Sequence, residues 1–233
     1  TQDRKICKYE DMPENLINAF VALEDKTFWK HHGFNWTRMI GAVFQSLTGS
    51  GKISGTSTIT QQLARNVYLP ETMSTRSIKR KVLEMYYAAV IERKLSKKEI
   101  VEAYLNTIYL GFGNYGVEAA SESYFGKKPK DLSLVQCASL AALPQAPDSY
   151  ALVQMLGTGE TPDDNDTIIK KRPNKYVAND ESKDRRETCL ALMKDQGYIT
   201  EDQYNKAKGQ KLTKFLNAQL SNKASKYSYF HEY

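Results

Sequence analysis

Apolar positions recur at three- and four-residue intervals along almost all of this chain, which predicts a mainly α protein. An apolar helix starts near Pro13 and ends at Glu24 and Asp25. Asn35 is placed to cap a second, with Trp36, Met39, Ile40, Val43, Phe44 and Leu47 on one face. Residues 49–55 hold three glycines and predict a mobile loop, after which Thr58 opens a helix through Arg65. A longer helix is predicted over about 75–93, with Ile78, Val82, Met85, Ala89 and Val90 on one side. Ser96 with Glu99, and Ser133 with Gln136, have the spacing of capping boxes. Behind the first run Ile100, Val101, Tyr104, Leu105 and Ile108, until Gly111 and Gly113 end the element. A short helix over 117–124 stops at Gly126. The second box opens an Ala/Leu-rich helix that is apolar on most faces and closed by Pro144, so it is expected at the centre of the core. Helical signals return over 185–194, and Thr200 with Gln203 caps one more short helix. Strand signals are sparse.

Composition adds four constraints. With 41% hydrophobic residues in 233, the chain can bury a core, which excludes wholesale disorder. No apolar run reaches the ~18–20 residues that a membrane-spanning helix needs. The three cysteines, Cys7, Cys137 and Cys189, are widely spaced and form no Cys/His pattern, so neither a disulfide framework nor a zinc site is expected. Thirty-three basic against 27 acidic side chains give a net charge of +6, which suits an anionic partner. Nucleic acid is a poor choice for that partner, because no recognisable binding module accompanies the cations.

Three clusters could carry chemistry. Glu24 and Asp25 end an apolar helix, and Phe28, Trp29, His31 and His32 follow within eight residues. A carboxylate at the mouth of an apolar surface suits general acid or base work, although the same pattern also describes a helix end with solvated acids. Gly55, Thr56, Ser57, Thr58, Ile59, Thr60, Gln61 and Gln62 crowd hydroxyls and amides at a glycine-to-helix junction. Free backbone N–H groups there favour a phosphate, and an ordinary Ser/Thr-capped helix would look alike. In the third cluster, Arg76, Arg80 and Glu84 lie four apart on one helical face, flanked by Lys79 and Lys81. Several cations beside one carboxylate could hold a pyrophosphate, or form a solvated basic face with Arg–Glu pairs.

Taken together, Glu24-Asp25-x-x-Phe28-x-x-His31, Gly55-x-Ser57-Thr58-Ile59-Thr60-Gln61-Gln62 and Arg80-Lys81-x-x-Glu84 resemble, in order and spacing, the motifs of the peptidoglycan glycosyltransferases, glycosyltransferase family 51. That family occurs in class A penicillin-binding proteins and monofunctional transglycosylases. Two further stretches agree: residues 98–111, with Glu102, Tyr104, Leu105 and Asn106, and Tyr124-Phe125-Gly126-Lys127 with Pro144-Gln145-Ala146-Pro147. The resemblance spans about 12–150 and weakly resumes at Arg185-Arg186.

The resemblance implies a lysozyme-like two-lobed fold around a long cleft. The implied reaction polymerises lipid II into β-1,4-linked glycan, with inversion and release of undecaprenyl pyrophosphate. Glu24 would be the general base, and Glu84 would organise cations, or a divalent Mg or Mn ion, at the pyrophosphate. Arg65, Arg76, Lys79, Arg80 and Lys81 would offset the leaving group's charge. Ser57, Thr58, Gln61 and Gln62 would line the cleft, with Asp25, Phe28, His31 and Asn66 as further substrate contacts. No cofactor is required by this reading. Partners implied are lipid II, the growing lipid-linked strand, an anionic membrane surface and phosphoglycolipid inhibitors of the moenomycin type. Where the family often carries Asp two residues after Gly33, this chain has Asn35.

A single glycosyltransferase domain over 1–233 is expected, with a polar surface excursion at about 157–184. The chain opens on Thr1, as a piece of a longer protein would. Its tail, with Tyr229, Phe230 and Tyr233, resembles a linker into a transpeptidase domain. The expected location is the outer face of the bacterial cytoplasmic membrane, anchored by a helix outside this chain. Segment 44–53 is a candidate to dip into the interface, or else packs inward. Two rivals stay open: a lytic enzyme of the same fold, and a non-catalytic module that binds anionic membranes.

Overall fold

The structure, a computed structural model, describes residues 6–34, 57–69, 78–157, 168–170 and 176–218. The helix opened by Asn35, the glycine-rich stretch 49–55, Arg76 and the tail lie outside the described residues.

Within them the class is mainly α, as the periodicity predicts, and a lysozyme-like fold is consistent with it. Helix α1 (Glu14–Glu24) is almost wholly buried from Leu16 to Ala22, and it forms the hub of the core. Helices α2 (Ile59–Tyr68), α3 (Ile78–Lys94) and α4 (Lys97–Thr107) pack on one another. Phe20 of α1 meets Tyr104 of α4 edge to face, with centroids 6.1 Å apart. Short helix α5 (Val117–Phe125) leads to α6 (Leu134–Ala142), which is buried at every position from Val135 on. The all-round apolar pattern of α6 therefore does place it centrally. It packs against α1 and against α7 (Lys183–Asp195), and α8 (Glu201–Ala207) follows α7.

The capping signals hold. In each of α2, α4 and α8 the cap residue's N–H donates to the Gln or Glu three residues on: Thr58 to Gln61 (3.0 Å), Ser96 to Glu99 (2.7 Å) and Thr200 to Gln203 (2.8 Å). Gly111 sits in the turn after α4 at φ +76°, where a Cβ would lie 2.1 Å from the Pro147 carbonyl oxygen, so only glycine fits.

One expectation needs correction. The excursion at 157–184 is not merely surface, because it supplies two strands of a small antiparallel sheet. Strand β3 (Tyr176–Ala178) lies between β1 (Val153–Met155) and β2 (Ile168–Lys170), with Val153 opposite Ala178 and Met155 opposite Tyr176. Tyr176 and Val177 are buried, and Tyr176 meets Phe112 edge to face at 5.7 Å. Three-residue strands give too short a run for alternation to show, and their pairing is set by distant residues.

All three cysteines are free and buried. Burial pushes the Cys7 and Cys137 thiols up to about 12, and pushes Cys189 up as well. A thiol at 12 is about one part in 10⁴ thiolate at pH 8, and the thiolate is the reactive form. The folded protein is therefore expected to resist a thiol-specific reagent for hours at pH 8 and to release three equivalents once unfolded. Fast labelling of Cys137 in folded protein would contradict this packing.

Candidate functional site

Helix α1 delivers Glu24 as its last residue, and the chain turns sharply at Asp25. Asp25 is fully buried and organises that turn. Its Oδ2 accepts from His31 Nε2 at 2.7 Å and from the Ile59 N–H at 3.1 Å, and Ile59 is the first residue of α2. The Gly33 N–H donates to His31 Nδ1 at 3.1 Å, which leaves the imidazole proton on Nε2, facing Asp25. Thr58, the α2 cap, donates its hydroxyl to the Gly33 carbonyl at 2.6 Å. The polar residues of the first two motifs thus brace the α2 N-terminus against the Glu24 turn.

Glu24 itself is 13% exposed. Oε1 pairs with Arg185 Nη2 at 2.6 Å, and Oε2 accepts from Gln62 Nε2 at 3.0 Å. Tyr104 fixes which end of that amide faces the acid, by donating its hydroxyl to Gln62 Oε1 at 3.1 Å. Burial, then the nearby Glu24 charge, raises the Tyr104 phenol well above its usual value, so it remains a donor. Each Glu24 oxygen accepts one of these two bonds and keeps a lone pair over. The ion pair with Arg185 exists only with Glu24 ionised, the form that can take a proton.

Three residues along α2 from Gln62, hence on the same side, stands Arg65. It lies 3.9 Å from Glu84, a carboxylate 1% exposed on α3. Arg80 Nε is 3.2 Å from Glu84 Oε1, and Lys81 Nζ is 3.0 Å from Oε2. Lys81 Nζ also donates to the Ser57 hydroxyl at 2.8 Å. One helix therefore touches two carboxylates in unlike settings: Glu24, with one cation and an amide, and Glu84, among three cations. Net positive charge beside Glu84 can receive an anion, and the lone pairs of Glu24 can receive a proton.

The site residues read from the sequence divide accordingly. Glu24, Gln62 and, through α2, Arg65, Glu84, Arg80, Lys81 and Ser57 are brought together. Asp25, Phe28, Thr58 and Gln61 are 0–1% exposed, and the polar ones bond within the protein. His31 shares that inward network, Lys79 is exposed, Asn66 half-buried, and Arg76 lies outside the described residues. Sequence reasoning missed four participants. Tyr104 and Arg185 stand in stretches that match the family, yet their roles depend on α4 and α7 reaching Glu24 from far along the chain. Glu92 accepts from Thr60 at 2.6 Å and pairs with Lys97 at 2.7 Å. Lys97 in turn covers the Phe28 ring, 4.6 Å from its centroid.

The donor set at Glu84 does not fit a resident divalent cation. Its two oxygens already face Arg80 and Lys81, two positive groups that repel such an ion, and no cluster of three or more His, Cys, Asp or Glu that could hold a metal occurs among the described residues. No helix among them is long and apolar enough to cross a membrane.

Residues 1–172 match the family model for transglycosylases. The chain belongs to the transglycosylase family. It is 42% identical over 210 residues to penicillin-binding protein 1A of Clostridium botulinum, covering 88% of this chain and 23% of that protein. With penicillin-binding protein 1A of Clostridium perfringens it shares 39% over 229 residues, covering 97% of this chain and 31% of the other. That of Streptococcus oralis is 38% identical over 197 residues, covering 84% and 27%. The chain thus spans about a quarter of the length of these curated relatives. A crystal structure of penicillin-binding protein 1A from Haemophilus influenzae is similar at a TM-score of 0.44 and 23% identity, over 94% of this chain and 18% of that one. Membership of the family supports peptidoglycan glycosyltransferase activity for this domain.

Arg185 is expected to act by positioning Glu24. Arg185→Ala should lower kcat at least about tenfold, because Glu24 loses one of its two anchors. Stability should fall by only about 1 kcal/mol, as for a partly exposed pair. Arg185→Lys, which keeps charge but loses the fork, should recover part of kcat. A paired measurement of kcat and melting temperature checks this: equal losses in both would make the residue merely structural.

Proposed function

We propose that this chain polymerises lipid II into β-1,4-linked glycan strands. Glu24 takes the proton from the acceptor's 4-hydroxyl as that oxygen attacks the donor's anomeric carbon from the face opposite its leaving group. The bond from that carbon to the pyrophosphate oxygen breaks, and its electron pair leaves with undecaprenyl pyrophosphate. Attack from the opposite face inverts the centre. Arg65, Arg80 and Lys81 offset the charge that develops on the leaving group, and they are held in place beforehand by Glu84.

The observation that carries this reading is the contrast between the two acids bridged by α2. A lytic enzyme of the same fold would need a protonated acid at the cleavage site and has no use for three cations around a second carboxylate. The cations suit a phosphate-linked donor. Such a donor carries a lipid, which places the reaction at an anionic membrane surface, and phosphoglycolipids of the moenomycin type would compete for the same cations.

The test is to incubate the chain with labelled lipid II in detergent and size the products. The expected outcome is a ladder of glycan strands that a muramidase degrades. Cleavage of finished glycan without synthesis would make the chain a lytic enzyme, and binding to anionic vesicles with neither reaction would make it a non-catalytic module.

A further inference from the structure

We propose that Glu92 is a positioning residue for the transfer reaction, holding α2 in place against α3 through the Thr60 hydroxyl. The inference rests on the reading that gives Glu24 the proton and Arg65 the leaving group's charge.

Helix α2 touches both carboxylates, so its placement sets the distance between the proton acceptor and the phosphate cations. Two polar ties hold it to α3. Arg65 lies 3.9 Å from Glu84, and Thr60 donates its hydroxyl to Glu92 Oε1 at 2.6 Å. On α2 these ties are separated by about 7.5 Å along the axis, and Gln62 lies between them. Sliding or turning α2 against α3 would stretch one tie or the other. It would also carry Gln62 away from Glu24, which its amide now meets at 3.0 Å.

Glu92 gathers more than this one bond. Its side chain is 7% exposed, and Oε1 also accepts from Nζ of Lys97, the first residue of α4, at 2.7 Å. A Cβ on Gly33 would come within 3.3 Å of the Glu92 stem, so the turn that follows Glu24 rests directly on it. His31 Nδ1 is 4.0 Å from the same oxygen but accepts from the Gly33 N–H instead. One carboxylate of α3 thus joins α2, α4 and the Glu24 turn.

Stability gives no reason for a carboxylate here. A threonine inside a helix commonly returns its hydroxyl to the carbonyl four residues back, as Thr107 does to Ala103 and Thr188 to Asp184. Thr60 is the second residue of α2, has no helical carbonyl behind it, and is fully buried. Valine at 60 and leucine at 92 would fill the space without burying a charge, and such replacements are often neutral or stabilising. Apolar surfaces can slide, however, whereas a charge-assisted bond at 2.6 Å fixes one direction and one distance. The pair therefore serves placement, and what it places is Gln62 and Arg65.

The full chain and three variants test this, at a temperature where circular dichroism shows each of them folded. Thr60→Val keeps the shape and removes the donor; it should lower kcat on labelled lipid II at least about tenfold, with KM within about twofold. Thr60→Ser keeps the hydroxyl and should recover about a third or more of the parent kcat. Thr60→Val combined with Glu92→Leu should melt within ~4 °C of the parent chain, yet stay as slow as Thr60→Val alone. A second readout needs no turnover. In the isotope-labelled chain the Gln62 side-chain amide, identified by its loss in Gln62→Ala, should show one proton shifted by its bond to Glu24. That shift should shrink in Thr60→Val and in the double variant, and return in Thr60→Ser. An unchanged Gln62 signal in Thr60→Val would overturn the proposal. So would a kcat that returns with stability in the double variant, which would make the pair merely structural. Were the parent chain to make no strands, the polymerisation reading would fall, and the Gln62 signal would still decide whether Glu92 and Thr60 place α2.

Discussion

Replacing Glu24 by glutamine is expected to lower polymerisation of lipid II by about 10²–10⁴-fold, with the fold retained. An amide of the same size cannot accept a proton from the attacking hydroxyl. The surroundings add to the loss. Glu24 now accepts from Arg185 on one oxygen and from Gln62 on the other. Glutamine would have to turn its NH₂ toward one of these donors, so it keeps at most one of the two bonds. Because Glu24 is 13% exposed and Arg185 23%, water can replace much of the lost pairing. The stability cost should be about 1 kcal/mol, or a melting temperature lower by roughly 2–4 °C. Rates come from initial velocities on labelled lipid II, and folding from circular dichroism. Synthesis within threefold of the parent chain would remove Glu24 from the base role, whatever happens to stability.

A second large effect is expected from Glu84→Gln, and here two consequences oppose each other. Losing the negative charge raises the net positive charge seen by an incoming pyrophosphate. At about 10 Å in water that attraction gains only ~0.4 kcal/mol per unit charge. Against it stands the loss of the group that holds Arg80 at 3.2 Å and Lys81 at 3.0 Å in one arrangement. Misplacing preorganised cations should cost about 1.4–3 kcal/mol in the barrier, or roughly 10–150-fold in kcat. Geometry outweighs charge, so kcat should fall while KM for the donor stays nearly constant or drops. Stability should fall as well. Removing one partner of a fully buried pair costs about 3–5 kcal/mol, but Arg65, Arg80 and Lys81 are 29%, 15% and 36% exposed and regain solvation. A loss of about 2 kcal/mol, or ~4–8 °C in melting temperature, is the expected result. A raised KM with unchanged kcat would show that Glu84 serves binding alone.

Much of this architecture can be read from local rules. Capping boxes at Thr58, Ser96 and Thr200 depend only on residues three apart, so their presence follows from the sequence with no tertiary information. The burial of α6 follows from an apolar pattern on all faces. The approach of Arg80 and Lys81 to Glu84 follows from helical spacing, since residues three and four apart meet on one helix. Motif order then carried the family, and with it the expectation that Glu24 and Glu84 divide the chemistry.

Spacing could not decide what converges on each of those acids. Arg185 reaches Glu24 across 161 positions, and Tyr104 meets Gln62 across 42, because α1 packs against α7 and α2 packs against α4. Nothing local to an arginine in a polar stretch distinguishes a partner for Glu24 from a solvated surface group. Likewise Asp25 and His31 look like candidate ligands in the sequence, but burial turns them into braces for α2. The strand at Tyr176–Ala178 is of the same kind. Local propensity is worth tenths of a kcal/mol per residue, whereas burial and pairing across the core are worth several times that. Helices, caps and motif order were thus determined by the sequence itself, and the surroundings of Glu24 and the approach of Arg65 to Glu84 by the tertiary packing.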